Sequence, residues 1–241
     1  MYLSINIIFN KLILFYNNMK RYETSIYIGV FIISILISII WIIYILLSRL
    51  SIEYYDIKEI PNFLTHEECD NIIQTSIGKL FKSTVYSSED DILVSSVRKS
   101  NQCWLDDSYE PAKCVSEKVK KYTNTYNNIQ EKLQVVQYTK GGFFIPHYDA
   151  CNPDVDNCKR MDGSNGPRLY TMLIYLNDDF EGGETVFPKI NKTVKPEKGK
   201  AVLFRNVDNN GILIKESFHG GLPIKSGEKW IANKWVRINS Y

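Results

Sequence analysis

From Leu133 onward the chain is written in short β-rich runs broken by clusters of Gly, Asn, Asp and Pro. Leu133 to Tyr138 gives way to Gly141-Gly142 and Pro146, and Arg168 to Leu176 gives way to Gly182-Gly183. Ala201-Val202-Leu203-Phe204 and the block from Trp230 to Arg237 follow after further breaks. Runs this short, punctuated this often, predict antiparallel strands joined by turns. Upstream, Thr65 with Glu68 three residues on forms a capping box, and Ile72, Ile73 and Ile77 follow at roughly helical spacing. A second amphipathic helix is predicted from Glu110 to Tyr126, with Val115, Val119 and Tyr122 on one side. Two helices followed by about eight strands predict a mainly β, α+β domain: a double-sheet jelly roll of the cupin-like kind, backed by helices.

The chain has only three histidines, His66, His147 and His219. His66 falls in the first turn of the capped helix and reads as a surface residue. His147 and Asp149 stand at i and i+2, so one extended segment presents both side chains on the same face. With His219 they make a 2-His-1-carboxylate set. Such a set takes one face of an octahedral Fe(II) and leaves the opposite positions open for substrate and dioxygen. Taken alone, the tripeptide is equally a surface histidine beside a solvated aspartate; its surroundings give it weight.

Those surroundings run, in order, through Leu133 to Tyr138, Arg168 to Leu176, Gly182-Gly183-Glu184-Thr185-Val186-Phe187-Pro188 and Lys198 to Phe204. His219-Gly220-Gly221-Leu222-Pro223, Gly227-Glu228-Lys229-Trp230 and Asn233 to Arg237 complete the series. The series resembles the catalytic domain of the prolyl 4-hydroxylases, a branch of the 2-oxoglutarate- and Fe(II)-dependent dioxygenases, over roughly residues 57–241. The resemblance implies a distorted double-stranded β-helix and an Fe(II) held by His147, Asp149 and His219. It implies 2-oxoglutarate as co-substrate, its distal carboxylate paired with Lys229 and hydrogen-bonded by Tyr138 and Thr171. It further implies ascorbate as reductant and hydroxylation of peptidyl proline at C4, with succinate and CO2 released.

Toward the peptide, the resemblance is looser. Arg98 and Ser100, in Ser96-Val97-Arg98-Lys99-Ser100, match a family segment flanking the active site. Glu131 and Arg168 match positions near the bound proline, and Tyr148 sits beside the iron. The expected partner is a proline-rich or collagen-like peptide. The chain has no room for the separate peptide-binding domain of animal collagen hydroxylase subunits, so the short plant, algal and viral type is the nearest pattern. Oligomeric state stays open. Two other readings stand beside this one: a dioxygenase acting on another residue or substrate, and a membrane-tethered, non-catalytic jelly-roll binding protein. An intact triad with Lys229 argues against the second.

Lys and Arg number 29 against 27 Asp and Glu, so the formal charge is +2. That balance, without a basic or aromatic stripe, argues against nucleic acid as a partner. Residues 26–47 behave differently from the rest. Ile26 to Leu47 carries no charge and a dense run of isoleucines, enough to cross a hydrocarbon core of about 30 Å as a helix. A cleaved signal peptide is the alternative, but its apolar core spans only about 7–15 residues; a retained signal-anchor is expected. Lys11, Lys20 and Arg21 precede the span and only Arg49 follows closely, which puts the N-terminus in the cytosol and the catalytic domain in a lumen, that of the endoplasmic reticulum. Residues 3–16 read as an interfacial segment. The expected organisation is thus a cytosolic segment (1–25), the membrane anchor (26–47), a connector (48–56), a helical support region (57–130) and the jelly-roll core (131–241).

Five cysteines are present. A lumenal setting permits disulfides. Cys151 and Cys158 bracket six residues just after the expected iron-binding strand and are the first candidate pair; Cys103 with Cys114 is the second. An odd count leaves at least one thiol over.

Overall fold

A computed structural model describes residues 2–54, 56–84, 96–125, 129–151, 165–208 and 210–238. The chain divides into two compact units, Met1–Tyr54 and Tyr55–Tyr241.

The first unit is one helix, α1 (Tyr2–Tyr54), of 53 residues. Within it, Tyr27–Leu47 is 21 residues with a mean hydropathy of 3.1, long and apolar enough to cross a membrane. The separate interfacial segment and the connector beginning at Ser48 do not appear as distinct elements: the helix runs through both. The reason is local. Ser48 to Tyr54 contains neither proline nor glycine, so nothing in it breaks the ladder that the apolar span nucleates.

The second unit holds fourteen strands among the described residues. They are β1 (Lys58–Ile60), β2 (Phe81–Lys82), β3 (Arg98–Lys99), β4 (Asn101–Leu105), β5 (Leu133–Tyr138), β6 (Phe143–His147) and β7 (Arg168–Tyr175), followed by β8 (Glu181–Gly182), β9 (Thr185–Phe187), β10 (Lys192–Val194), β11 (Ala201–Arg205), β12 (His219–Gly221), β13 (Ile224–Ser226) and β14 (Lys229–Arg237). One sheet runs β1-β11-β7-β14-β5-β4-β2, a second β10-β9-β12-β6-β3, and β13 pairs with β8 in a small ribbon. Among the described residues these strands pair antiparallel throughout. Two facing sheets of this kind, with helices on one side, are the expected jelly-roll arrangement.

The helices form where the sequence marks them. In α2 (His66–Ser76), Thr65 accepts from the Glu68 backbone while the Glu68 carboxylate accepts from the Thr65 backbone, and His66 is exposed. Ile72 is buried and Ile73 partly so, but Ile77 is the C-cap and lies 54% exposed, so the apolar stripe ends one turn sooner than its spacing suggests. Helix α3 (Glu110–Thr123) starts with Pro111 in its first turn and ends at Asn124 in the left-handed region. Its Val115 and Val119 are fully buried, whereas Tyr122 is half out of the core, its ring 5.5 Å from Phe63. Tyr126 lies outside the described residues.

Two hydrophobic layers hold the unit together. Leu105, Val115, Leu133, Met172 and Ala232 belong to the layer between helices and large sheet. Tyr138, Tyr175, Phe187, Phe204 and Ile231 belong to the layer between the sheets. Residues 57–130 are more than a helical support: they supply β1, β2 and β4 to the large sheet and β3 to the small one. The pairing explains why the sequence hides this. Each of these strands is five residues or shorter; β1, β3 and β4 are fixed by partners beyond residue 130, as in Lys58–Ile60 against Ala201–Leu203, and β2 by β4.

The cysteines divide. Cys103 and Cys114 are both free thiols, so the second candidate pair is not formed. Cys103 packs inside β4, and Cys114 on α3 puts its Sγ 3.2 Å from Glu68 Oε1. Cys151 is disulfide-bonded, while Cys158 lies outside the described residues.

Candidate metal centre and cleft

Strand pairing builds the centre. His147 ends β6 and His219 opens β12, and the two are direct partners across that antiparallel pair. Gly220 follows His219 because the strands approach closely there: a Cβ on it would meet the Pro146 backbone nitrogen at 2.8 Å. Asp149 lies two residues beyond His147 and is buried. One ligand atom from each of the three residues falls within 4.8 Å of the others.

The ligand atoms are aimed. His147 Nδ1 lies 2.9 Å from the Ile145 carbonyl and His219 Nδ1 lies 2.8 Å from that of Ser217, so each ring donates on that side and offers Nε2 on the other. Those Nε2 atoms stand 3.6 and 3.7 Å from the Asp149 oxygens, somewhat wider than the spacing of about 3 Å between cis ligands held about 2.1 Å from one ion. Burial pushes the His219 pKa down to about 4 against the pull of Asp149, leaving a neutral imidazole. Burial acts to raise the Asp149 pKa, but His219, His147 and Arg168 outweigh it and hold the carboxyl far below its usual range. Two imidazoles and one carboxylate, all turned to one point, fit a divalent iron.

Around this point opens a cleft of about 530 Å³ between the sheets. Lys229 lines it from β14, directly opposite Tyr138 on β5. Its ammonium is buried, donates to the Gly183 carbonyl, and lies 5.6 and 5.4 Å from the ring centres of Tyr138 and Tyr175. Burial drops its pKa to about 7, opposed only by Glu184. A buried cation with no carboxylate at ion-pair distance among the described residues suits an incoming anion. Thr185 lines the same cleft and accepts from the Tyr175 hydroxyl at 2.7 Å, which leaves its own proton free; nothing in its spacing from Lys229 singled it out.

Thr171 is not where the resemblance put it. Its hydroxyl donates to Asp149 Oδ2 at 2.7 Å and accepts from Asn206 at 2.8 Å. It is fully buried, away from the cleft lining. A co-substrate carboxylate needs donors, and the one proton of Thr171 is engaged.

Of the five residues expected near the peptide, Arg98, Tyr148 and Arg168 line the cleft, while Ser100 and Glu131 lie behind it. Ser100 accepts from Arg98 Nε at 2.9 Å. Glu131 accepts from Arg168 at 2.7 and 2.9 Å and from Arg237 at 2.9 Å, which fixes the Arg168 guanidinium 3.6 Å over the Trp235 ring. Both are engaged with arginines, Ser100 with Arg98 and Glu131 with Arg168 and Arg237. Trp104, Phe144, Phe218 and Trp235 give the cleft an aromatic lining that suits an apolar ring.

A jelly roll with a 2-His-1-carboxylate centre and a buried cation in its mouth is the architecture of a 2-oxoglutarate- and Fe(II)-dependent oxygenase. Residues 133–237 match the family model of the 2OG-Fe(II) oxygenase superfamily. A putative prolyl 4-hydroxylase of Acanthamoeba polyphaga mimivirus is 36% identical over 181 residues, covering 75% of this chain and 73% of that one. The probable prolyl 4-hydroxylase 3 of Arabidopsis thaliana is 35% identical over 201 residues, covering 75% and 68%. Among solved structures, the viral collagen prolyl hydroxylase of Paramecium bursaria Chlorella virus-1, in complex with 2OG, superposes with a TM-score of 0.61 at 32% identity, covering 77% of this chain and 97% of that one. The chain belongs to the prolyl 4-hydroxylase family.

Proposed function

We propose that this chain is a membrane-anchored peptidyl-proline 4-hydroxylase in which His147, Asp149 and His219 hold the iron and Lys229 and Tyr138 receive the distal carboxylate of 2-oxoglutarate. The observation that carries the reading is the meeting of that triad and Lys229 in one cleft. When bound, iron and 2-oxoglutarate supply the oxidising chemistry, with dioxygen consumed and succinate and CO2 released. The chain's own part is placement. Two imidazole ligands and one carboxylate would leave a bound Fe(II) with net positive charge, which favours an anionic chelator. Lys229 fixes the far end of the co-substrate, and the apolar walls around it strengthen that contact by excluding water. Trp104 and Phe218 offer apolar surface to a proline ring, with Arg98, Arg168 and Tyr148 at the edge of the peptide path.

The preferred peptide is an extended proline-rich or collagen-like segment. Such segments carry no internal hydrogen bonds and lose little entropy on docking in an open groove. The span at Tyr27–Leu47 supports an anchor, and the flanking cations support a lumenal catalytic unit. Ascorbate fits as the reductant, and Cys151 with Cys158 as the bridge of the loop after Asp149. The testing experiment is succinate release by the full chain in detergent with Fe(II), 2-oxoglutarate and a panel of proline-rich and Gly-X-Y peptides. Peptide-stimulated release that disappears in His219→Ala is expected; release unchanged in that variant contradicts the site.

A further inference from the structure

Both oxygens of Asp149 border the centre, but only one of them is engaged by hydrogen bonds from outside it. Its Oδ2 receives two hydrogen bonds, from the Thr171 hydroxyl at 2.7 Å and from Trp235 Nε1 at 3.0 Å. Its Oδ1 faces His147 Nε2 at 3.6 Å, and Oδ2 itself stands 3.7 Å from His219 Nε2, within reach of the same ion. A carboxylate oxygen has about two lone-pair directions, so Oδ2 is filled and Oδ1 is free to bind.

Each donor is itself locked. Asn206 Nδ2 donates to Thr171 Oγ1 at 2.8 Å, which leaves the hydroxyl proton to point at Asp149. The Trp235 indole is clamped under Arg168 at 3.6 Å, and Glu131 pins that arginine through two bonds. Thr171, Trp235 and Asp149 are all buried, so no bulk water replaces either bond. The cross-strand partnership of Thr171 with Trp235, on β7 and β14, makes the pair a fixture of the large sheet.

We infer that Thr171 and Trp235 are positioning residues that confine Asp149 to a single coordinating oxygen. This rests on the iron site proposed above. The consequence is arithmetic. An octahedral ion has about six positions, of which two imidazoles and one carboxylate oxygen fill three. A bidentate co-substrate then leaves one position for a further ligand. If Asp149 also used Oδ2, that last position would be lost. The two hydrogen bonds therefore guard a vacant site that the ligand set alone does not guarantee.

The test compares the full chain in detergent with Thr171→Val, Thr171→Ser and Trp235→Phe, each loaded with Mn(II). Valine matches threonine in shape and lacks the donor; serine keeps it. Water-proton relaxation counts the exchangeable positions on Mn(II), and titration gives the affinities for Mn(II) and then for 2-oxoglutarate. The expected result is one fewer exchangeable position in Thr171→Val and in Trp235→Phe. Mn(II) affinity in both should be undiminished, while 2-oxoglutarate binds about tenfold more weakly. Thr171→Ser should behave as the parent. A loss of Mn(II) affinity of about 10–100-fold with the count of positions unchanged overturns the inference, because that is the signature of simple ligand orientation. Variants indistinguishable from the parent overturn it equally. A parent chain that binds no Mn(II) at all overturns the iron site and this inference together, so the two failures are told apart by the parent's own titration.

Discussion

Lys229 is the residue whose environment says most about co-substrate binding. Its burial and its pKa of about 7 place its charge in balance at neutral pH while the pocket is empty. Below that pH the ammonium is present and receives a carboxylate directly. As pH rises through about 7, binding must first take up a proton, so affinity for 2-oxoglutarate should fall, approaching about tenfold per pH unit. Lys229→Arg, which keeps its charge, should flatten that profile. Lys229→Ala should weaken 2-oxoglutarate by about 2–5 kcal/mol and leave peptide affinity nearly unchanged. Calorimetric titration between about pH 6 and about pH 9 checks both. An unvarying profile in the parent chain assigns the carboxylate to another group. At this scale the sequence was uneven as a guide. That His147, Asp149, His219 and Lys229 meet in one cleft was legible, because residue types of that chemistry in that order are specific. Thr171 was misplaced because a strand threonine reads the same whether it faces a co-substrate or a ligand carboxylate, and Thr185, Asn206 and Trp235 gain their meaning only from neighbours far along the chain.

Strands β6 and β12 are the elements on which the centre depends. Their register sets His147 opposite His219, and Gly220 lets the backbones close. Gly220→Ala would put a methyl group 2.8 Å from Pro146 N and 3.0 Å from the Phe144 carbonyl oxygen, backbone atoms that cannot rotate away. The strands must part, and the two histidines with them. We expect metal affinity to fall by at least about tenfold while thermal stability drops by only about 1–3 kcal/mol. Metal titration beside thermal unfolding separates the two effects; a large stability loss with metal affinity intact would show that the spacing is structural only. The β-rich half was legible from its punctuation, and α2 from its capping box. The strands before α3 were not. β2 and β3 are two residues each and carry no alternation to read, so only pairing with β4 and β6 makes them strands. The continuity of α1 was missed for a related reason: polar residues suggested an end, but polarity does not stop a helix without a breaker.

At the scale of the whole molecule, two units of different solvent preference share one chain. The apolar helix contributes exposed Ile, Leu, Phe and Trp side chains along Tyr27–Leu47, which water does not tolerate as a continuous surface. Protease added to sealed microsomes should leave the catalytic unit whole and trim only the N-terminal segment; its digestion without detergent would reverse the proposed topology. The central claim is a transfer of oxygen to proline, and mass spectrometry reads it directly. Proline-rich and Gly-X-Y peptides are incubated with the full chain, Fe(II), 2-oxoglutarate and ascorbate, and fragment spectra locate the change. The account predicts a gain of one oxygen on proline, placed at C4 by comparison with authentic hydroxyproline isomers and absent without 2-oxoglutarate. Succinate formed in response to a lysine, asparagine or nucleotide substrate, with every proline unmodified, would contradict it.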